Sequence, residues 1–351
     1  MIDLTNLEYE EIERFVTETL NEPKFRAKQI FGWIYGGPTK DGSFRSGVQS
    51  FDEMNNLPKT LREKLTAQAF LTSLDVLRTQ VSKLDGTRKF LFRLADGNAI
   101  ESVFMRYKFG NSICVSSQAG CRMGSRFCAS TIGGLKRNLT PGEIAGQILA
   151  AQRETGQRIS HVVVMGTGEP FDNYENLAKF LHIIHDPNGL NLSMRNITVS
   201  TCGLVPMIAR FAEDFPQVNL AISLHAVSNE MRDEIMPVNK AYPMETLLSA
   251  CRDYTQKTAR RVTFEYTLVK GVNDSAEYAR KLAARLQGML CHVNLIPLNK
   301  VEETGYDTSE RGAVLRFQQV LTECGIPATI RRELGDDIDA ACGQLRLAEK
   351  G

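Results

Sequence analysis

The chain has no apolar run that approaches the roughly 20 residues needed to cross a membrane. Its first thirty residues are acidic and amphipathic, which is unlike a cleaved export signal. The chain also lacks a charge excess, because 42 basic and 41 acidic residues leave a formal net charge of +1. A nucleic-acid partner must therefore be held by local basic groups, since the whole protein offers no strong positive field. We expect a cytoplasmic protein.

Cysteine is too sparse for a disulfide framework, with eight residues spread over 351 positions. In a reducing compartment, closely grouped cysteines more often bind metal or take part in catalysis. The segment Cys121-Arg-Met-Gly-Ser125-Arg-Phe-Cys128 has the frame of a C-x3-C-x2-C iron–sulfur loop, with serine at the middle position. Taken alone, the two remaining cysteines favour a loop without metal. Other motifs in the chain are needed to distinguish an iron–sulfur loop from a loop without metal.

Hydrophobic spacing divides the chain into three regions. Residues 1–72 show helical periodicity and predict a small helical domain. Residues 73–108 contain strand-like segments separated by Asp-Gly turn signals, which predict a β-hairpin connector. From 109 to 345, strands alternate with helices, so we expect a parallel sheet covered by helices. The predicted strands are 112–116, 161–165, 196–200, 218–223, 262–268, 293–296 and 328–331.

This α/β pattern favours an incomplete (β/α) barrel over a closed one. Six or seven units fit into about 230 residues, fewer than the eight of a full barrel. Ligands in such folds gather beyond the carboxyl ends of the strands. The cysteine loop follows the first of these strands, and the motif Gly166-Thr-Gly-Glu169-Pro170 follows the second. Residues 200–203, 223–225 and 294–299 follow the third, fourth and sixth strands, so one edge gathers the informative polar groups.

Each motif has a simpler interpretation when it stands alone, and a Gly-x-Gly sequence is most often a plain strand-to-helix turn. Together, several motifs in a fixed order carry more information. They are Cys114-Val-Ser-Ser-Gln-Ala-Gly-Cys121, the loop ending at Cys128, Gly166-Thr-Gly-Glu-Pro170, Ser223-Leu-His225, Ala340-Ala-Cys342-Gly-Gln-Leu345, Arg26-x-x-Gln29-x-x-x-Trp33 and Leu57-Pro-Lys-x-Leu61. This set resembles the RlmN/Cfr family of radical S-adenosylmethionine RNA methyltransferases over nearly the whole chain. The RlmN type, which methylates adenosine C2, is the nearer match, and the Cfr type, which acts at C8, is the alternative.

The resemblance implies two cofactors. A four-iron, four-sulfur cluster would be held by Cys121, Cys128 and the ligand position that Ser125 occupies here. S-adenosylmethionine would contact residues that match the family motifs, namely Gly168, Glu169, Ser200, Ser223, Leu224, His225 and Asn299. The implied partners are 23S ribosomal RNA, transfer RNA and an external electron donor such as a flavodoxin or ferredoxin. The implied arrangement is a radical-enzyme core over 109–345 with a catalytic-cysteine loop near its end, and an RNA-binding role for 1–72.

The resemblance also implies a route for the methyl group. Cys342 would accept it from one S-adenosylmethionine, and a radical made from a second would abstract hydrogen from the methylated cysteine. The carbon radical would add to adenine, Cys114 would resolve the adduct through a transient disulfide with Cys342, and Glu101 would accept the proton. A radical route suits adenine C2, because its hydrogen is not acidic and its carbon is not nucleophilic. A thiol that accepts a methyl group and later leaves must be exposed and reactive.

Without the resemblance, these residues have plainer interpretations. Cys342 would be a surface cysteine near the end of the chain, Cys114 an inward-facing strand residue and Glu101 a carboxylate on a strand surface. Four cysteines in strand or helix contexts are more typical of core positions: Cys202, Cys251, Cys291 and Cys324. The candidates for phosphate contacts are Lys24, Arg26 and Lys28, and, closer to the expected site, Arg122, Arg126, Lys136 and Arg137.

Ser125 is the one serious departure from the family pattern. A neutral hydroxyl is a poor iron ligand beside a thiolate, so we expect cluster binding, and the radical chemistry with it, to be weakened or lost. Three alternatives remain open. Ser125 is a substitution in an otherwise active enzyme, or it marks a natural inactive relative that still binds RNA, or it ligates iron as an alkoxide. The intact remaining motifs favour the first.

Overall fold

The computed structural model of the chain describes residues 1–39, 43–299, 305–332, 334–340 and 344–345. Its centre is a ten-stranded sheet. The strands are β1 (Asp75–Val81), β2 (Arg88–Arg93), β3 (Ala99–Tyr107), β4 (Gly110–Cys114), β5 (His161–Val164), β6 (Ile197–Thr201), β7 (Asn219–Ser223), β8 (Val262–Leu268), β9 (Cys291–Pro297) and β10 (Ala328–Ile330). Three short pairings outside this sheet join Ile2–Asp3 to Ala69–Phe70, Gly37–Pro38 to Phe44–Arg45, and Gln118–Gly120 to Leu135–Asn138.

The strands lie in the sheet in the same order as in the chain. Pairing is antiparallel from β1 to β4 and parallel from β4 to β10. Among the described strands, β1 and β10 are the two edges, so the seven parallel strands form an open, partial (β/α) barrel. The predicted fold class is confirmed. The ends of the seven parallel strands lie within two residues of their predicted positions.

Helices cover the outer face of the parallel strands and form most of the first 70 residues. They are α1 (Tyr9–Arg14), α2 (Phe25–Tyr35), α3 (Lys59–Gln68), α4 (Pro141–Thr155), α5 (Tyr174–His185), α6 (Val205–Asp214), α7 (Asn229–Ile235), α8 (Met244–Thr258), α9 (Ala276–Leu286) and α10 (Arg311–Glu323). A π-helical turn at Phe15–Thr19 continues α1. No helix within the described ranges is long and apolar enough to cross a membrane.

Helix α4 shows how local sequence fixes an element. The Thr140 hydroxyl accepts a hydrogen bond from the Glu143 amide at 3.2 Å, and the Glu143 carboxylate accepts one from the Thr140 amide at 3.0 Å. This reciprocal pair satisfies two backbone donors that a helix start leaves free. The helix ends at Gly156, whose φ of 64° is left-handed and suits glycine. The sequence Thr140-Pro-Gly-Glu143 has the pattern of such a capping box.

The first 72 residues share one apolar core with the barrel helices. Ile12, Phe31 and Leu65 belong to the same buried cluster as Ile144 of α4 and Phe180 of α5. Residues 73–108, expected to form a β-hairpin connector, contain β1, β2 and β3, and these strands continue the main sheet. The first 72 residues, the three antiparallel strands and the parallel strands are therefore parts of one continuous packed structure.

Candidate active site

A cavity opens at the carboxyl ends of the parallel strands, where the sequence predicted the polar loops to converge. Its wall brings together most of the predicted site residues: Cys114, Cys121, Ser125, Cys128, Gly168, Glu169, Ser200, Ser223, His225 and Asn299. These residues come from six loops or strand ends that are distant in sequence. The parallel winding of the sheet is what places them on one edge.

Three predicted residues are not in the described wall. Cys342 lies outside the described residues, although Ala340 and Leu345 on either side of it line the cavity. Leu224 is completely buried in the apolar core. Its carbonyl accepts a hydrogen bond from the Arg232 guanidinium at 3.2 Å, so its visible role is to hold the end of β7.

Glu101, the third of these residues, lies on a strand that contributes Val103 and Met105 to the cavity wall. It lies on β3 two positions before Val103, and successive side chains of a strand alternate between faces. Glu101 therefore projects from the same face as Val103, which lines the cavity and pairs with Cys114 on β4. The Glu101 carboxylate forms a largely buried ion pair with Lys89, at 3.2 Å.

The segment after β4 joins the cysteine loop to the second strand loop. Ser116 Oγ accepts a hydrogen bond from the Thr167 amide at 2.9 Å and donates one to the Glu101 carbonyl at 2.7 Å. Gln118 Oε1 accepts from the Glu169 amide at 2.8 Å. The two loops therefore have a fixed position relative to each other before any ligand binds.

The two glycines of the Gly-Thr-Gly-Glu loop are explained by this packing. A Cβ atom at Gly166 would lie 2.7 Å from Ser116 Oγ, and one at Gly168 would lie 2.6 Å from the Gln118 Cβ. Gly168 also has a φ of 108°, which side-chain-bearing residues rarely adopt. The two glycines therefore allow the backbone of this loop to approach the segment after β4 closely.

Glu169 is a buried carboxylate held by backbone donors. Its Oε1 accepts from the Phe171 amide at 3.0 Å and its Oε2 from the Cys202 amide at 2.7 Å. Burial raises the pKa of Glu169, and the hydrogen bonds from the Cys202 and Phe171 amides and the Thr201 and Cys202 side chains oppose that rise. A carboxylate fixed in this way can orient an ammonium or hydroxyl group of a ligand in the cavity.

The cysteine loop places two thiols and one hydroxyl on the wall. Ser125 Oγ donates a hydrogen bond to the thioether sulfur of Met236 at 3.1 Å. Burial raises the pKa of the Cys121 thiol to about 12. Within the described ranges, no group of three or more histidine, cysteine, aspartate or glutamate side chains is arranged to hold a metal ion.

His225 is held as a neutral ring. Its Nδ1 accepts a hydrogen bond from the Thr267 amide at 3.0 Å, which leaves the proton on Nε2. Burial, followed by the charge of Arg232, lowers the pKa of His225 to about 3. The backbone is left-handed here, with φ of 56°, and the ring packs edge-on against Phe127 at 4.7 Å. His225 thus offers a positioned hydrogen-bond donor, with no metal-binding role visible.

The sequence did not reveal Arg232, a fully buried cation behind the site. Its guanidinium donates to the carbonyls of Cys202 at 2.6 Å, Ser223 at 3.1 Å and Leu224 at 3.2 Å. Burial lowers its pKa to about 10. Arg232 therefore ties the ends of β6 and β7 together. Its surroundings in α7 are polar, so no sequence pattern distinguished it from a surface arginine.

Two more wall residues were missed. Glu265 is buried, accepts from Asn294 at 2.8 Å, and has its pKa raised by burial. A charged residue inside the apolar strand Val262–Leu268 was a usable signal for it. Cys202, expected to be a core residue, lines the cavity, and its amide donates to Glu169.

The basic candidates for RNA contact fall into two groups. The paired candidates are these: Lys24 pairs with Glu13 at 2.8 Å, Arg26 donates to Gln29 Oε1 at 2.8 Å, Arg122 pairs with Asp172, and Arg137 makes two bonds to Glu143. Arg126 and Lys136, by contrast, are exposed near the cavity, as is Lys28 in the helical region. Exposed cations at the cavity rim are the better placed for phosphates.

A partial barrel with a cysteine loop after its first parallel strand and a Gly-Glu loop after its second is the arrangement typical of radical S-adenosylmethionine proteins. Residues 115–283 match the radical SAM superfamily model, and residues 2–71 match the model of the ribosomal RNA large subunit methyltransferase N-terminal domain. The chain belongs to the RlmN family of radical SAM RNA methyltransferases.

Full-length relatives establish this membership. The chain is 51% identical over 346 residues to a probable dual-specificity RNA methyltransferase RlmN from Clostridium novyi, covering 99% of this chain and 98% of that protein. A similarly named protein from Desulforamulus reducens is 51% identical over 345 residues, covering 98% and 96%. The crystal structure of a radical SAM methyltransferase from Sphaerobacter thermophilus superimposes with a TM-score of 0.91 at 46% identity, covering 99% of both chains.

The family's cofactors are a four-iron, four-sulfur cluster and S-adenosylmethionine. The cavity fits the second, because Glu169, Ser200, Ser223 and His225 offer ordered polar groups along its wall. The donor set for the cluster does not fit a three-thiolate site, since Ser125 contributes a hydroxyl directed at Met236.

Proposed function

We propose that this protein carries the site of an adenosine-C2 methyltransferase acting on 23S ribosomal RNA and transfer RNA, with its cluster loop impaired by Ser125. The observation that carries the proposal is that Cys114 and both flanks of Cys342 line the same cavity as the proposed S-adenosylmethionine contacts. A cytoplasmic location and an electron donor such as a flavodoxin or ferredoxin belong to the same proposal. The helical residues 1–72 are proposed to bind RNA.

Three side chains carry the proposed chemistry. Cys342 receives the methyl group on its sulfur. A radical made from a second S-adenosylmethionine would take one hydrogen atom from that group, the carbon would bond to the adenine ring, and the remaining unpaired electron would pass to the electron carrier. Glu101, on the same face of β3 as the wall residue Val103, accepts the proton that the ring carbon loses. Cys114 then attacks the Cys342 sulfur, so that the S–S bond forms as the bond between that sulfur and the transferred carbon breaks. The carbon keeps the electron pair of the broken bond and takes up a proton, which gives the methyl group of the released RNA and leaves a disulfide between the two cysteines. The buried position of Cys114 in the cavity wall supports this role.

Ligand binding is assigned to the ordered groups of the wall. Glu169 and Asn299 are proposed to contact the amino-acid part of S-adenosylmethionine, together with the backbone of Gly168. Ser200, Ser223 and His225 are proposed to contact the remaining part through hydroxyl and ring N–H groups, and Leu224 through its backbone. The fixed hydrogen bonds of Glu169 and His225 support these roles, because they hold both groups in one orientation.

The test restores the third thiolate. Ser125→Cys protein, prepared without oxygen, is incubated with reductant, S-adenosylmethionine and a 23S RNA fragment, and methylated nucleosides are identified by mass spectrometry. We expect 2-methyladenosine from Ser125→Cys and none from the unchanged chain. Adding Cys342→Ala or Cys114→Ala to the Ser125→Cys protein should abolish turnover. Adding Cys324→Ala, at the carboxyl end of α10, should leave turnover unchanged. Formation of 8-methyladenosine would instead establish the Cfr type, and absence of any methylation by Ser125→Cys would refute the proposal.

The hydroxyl at position 125 favours a second candidate, a non-catalytic RNA-binding relative on the same fold. This function needs the RNA-binding surface but neither the cluster nor Cys342. Equal RNA affinity and an equal cellular effect for the unchanged chain and Cys342→Ala would support it. An absence of measurable binding to ribosomal or transfer RNA would exclude it.

A further inference from the structure

A short segment near the end of the chain is fastened to the first β-hairpin. Residues 334–340, called the strap here, run along the cavity edge, and Ala340 lines the cavity. Leu334, Ile338 and Ala340 pack on Val103 and Met105 of β3. The strap precedes Cys342 in the sequence, so its position bears on the proposed methyl carrier.

Two reciprocal hydrogen bonds join the strap to the β1–β2 turn. The Gly335 amide donates to Asp85 Oδ2 at 3.0 Å, and the Lys83 amide donates to Asp337 Oδ2 at 2.9 Å. A Cβ atom at Gly335 would lie 3.0 Å from Thr87 Cγ2, so the two segments are in close contact. Hydrogen bonds from Ser82 and the Lys83 amide lower the pKa of Asp337.

The third connection is made by Lys89. This residue is only 7% exposed, which is unusual for lysine unless it is paired. Its Nζ lies 3.2 Å from Glu101 Oε1 and 3.1 Å from the Asp339 carbonyl oxygen. Asp339 has a left-handed φ of 49°, a conformation that is unfavourable for a residue with a side chain. Lys89 thus stabilises a strained turn at the end of the strap.

Strand register directs Lys89 toward the site. Lys89 pairs with Val103 across β2 and β3, and Val103 pairs with Cys114 across β3 and β4. Directly paired residues project from the same face of a sheet. Lys89, Val103 and Cys114 therefore form one row that ends in the cavity wall, with Glu101 and the strap on the Lys89 side.

We propose that Lys89 is a positioning residue, whose ammonium group joins the Glu101 carboxylate to the Asp339 carbonyl and so fixes the strap at the cavity edge. The inference rests on the proposed function, in which Glu101 and Cys342 act together. The competing explanation is that Lys89 only neutralises a buried carboxylate. The two explanations differ in what happens to the strap when both charges are removed.

Hydrogen exchange of the unchanged Ser125 chain and its variants separates the two explanations. The reporter amides are those of Gly335, Ile338 and Ala340, each of which donates a hydrogen bond in the structure. In Lys89→Met we expect their exchange to accelerate about tenfold or more, because a charge-assisted hydrogen bond is lost. Arg88→Met is the matched control, since it removes a charge from the next position of β2 on the opposite face.

The decisive protein is the double variant Lys89→Met, Glu101→Gln, because it removes both charges of the ion pair and leaves neither charge buried alone. It also replaces the single variant in the measurement if Lys89→Met alone does not fold. Accelerated exchange of the strap, with the rest of the sheet as protected as in the parent, supports the inference. Exchange restored to the parent rate would overturn it, since Lys89 would then only neutralise Glu101.

A chemical readout connects the strap to the proposed function. Mild oxidation of the unchanged chain with diamide should form a Cys114–Cys342 disulfide, detected as a linked peptide by mass spectrometry. In Lys89→Met we expect this disulfide to form about tenfold more slowly, and in Arg88→Met at the parent rate. An unchanged rate in Lys89→Met counts against the positioning role. Absence of the disulfide in every protein would count against the proposed function, while the exchange experiment still tests the strap.

Discussion

The hydroxyl of Ser125 lies 3.1 Å from the sulfur of Met236, across the wall of the candidate active site. Met236 follows α7 and is itself buried in that wall. Ser125, at the position of the third cluster ligand, is therefore hydrogen-bonded to a neutral side chain of the protein. A thioether is a weak acceptor, so this contact is easily given up when a stronger ligand is offered.

Replacing Ser125 by cysteine should therefore create a cluster site. We expect reconstituted Ser125→Cys to hold about four iron and four sulfide per chain, with the broad visible absorbance of a four-iron cluster. The unchanged chain should hold much less, because a hydroxyl replaces one of three thiolates. Iron and sulfide assays with absorbance spectra measure this. Ser125→Ala is the control, and equal iron content in Ser125→Ala and Ser125→Cys would show that position 125 is not a ligand position.

The carboxylate of Glu169 should be needed for stability as well as for binding. Glu169→Ala leaves the Phe171 and Cys202 amides without their acceptor, and we expect a loss of about 3 kcal/mol in the free energy of unfolding. Glu169→Gln keeps one acceptor oxygen and should lose less. Urea unfolding measures both values. The exposed Glu175, which pairs with Arg210, provides the control: Glu175→Gln should change stability by less than about 1 kcal/mol.

Much of the fold was accessible from the sequence because local rules determine it. Helix α5, Tyr174–His185, is recognisable in the sequence because its apolar residues repeat at helical spacing. The parallel strands were recognisable as short apolar runs separated by helices. The motif loops could be placed on one edge because parallel strands share a direction.

What could not be predicted depends on contacts between distant segments. Lys89 and Arg232 bind backbone carbonyls, and any residue carries a carbonyl, so the sequence gives no sign of such partners.

The position of Leu224 could have been foreseen, because side chains at the end of β7 alternate between faces. Ser223 faces the cavity, and Leu224 points into the core.

The buried ring of His225 should make stability depend on pH. Its pKa is about 3 in the folded protein, against 6.5 for an ordinary histidine. Between these two pH values the unfolded chain binds a proton at this histidine that the folded protein does not bind. The contribution of His225 to the free energy of unfolding is therefore fully present above pH 6.5 and is lost as the pH falls toward 3. At pH 5 this one group should cost about 2 kcal/mol relative to pH 7.5.

The variant His225→Asn measures that contribution, because asparagine supplies an acceptor near Nδ1 and tolerates a left-handed backbone. We expect its unfolding free energy, from urea titrations at pH 5 and 7.5, to depend less on pH than that of the parent. His182→Asn, at an exposed position on α5, should keep the parent's dependence. An identical pH dependence in His225→Asn and the parent would contradict the assignment of a neutral buried ring.

Exposed and paired cations near the cavity should respond differently to substitution. Arg126 and Lys136 are exposed, whereas Arg137 makes two hydrogen bonds to buried Glu143, at 2.7 and 2.8 Å, and one to Asp96 at 2.5 Å. If the exposed pair binds phosphates, changing both to glutamine should weaken RNA binding about tenfold at low salt. Each lost contact should also reduce the slope of log affinity against log salt by about 0.7 to 0.9. Arg137→Gln should instead lower the free energy of unfolding by about 3 kcal/mol, because it leaves the buried Glu143 carboxylate without a cation, with the Thr140 amide as its remaining donor. Fluorescence anisotropy with a labelled 23S RNA fragment over a salt series, combined with urea unfolding, measures both effects. A salt slope unchanged in the Arg126 and Lys136 double variant would remove these residues from the RNA-binding surface.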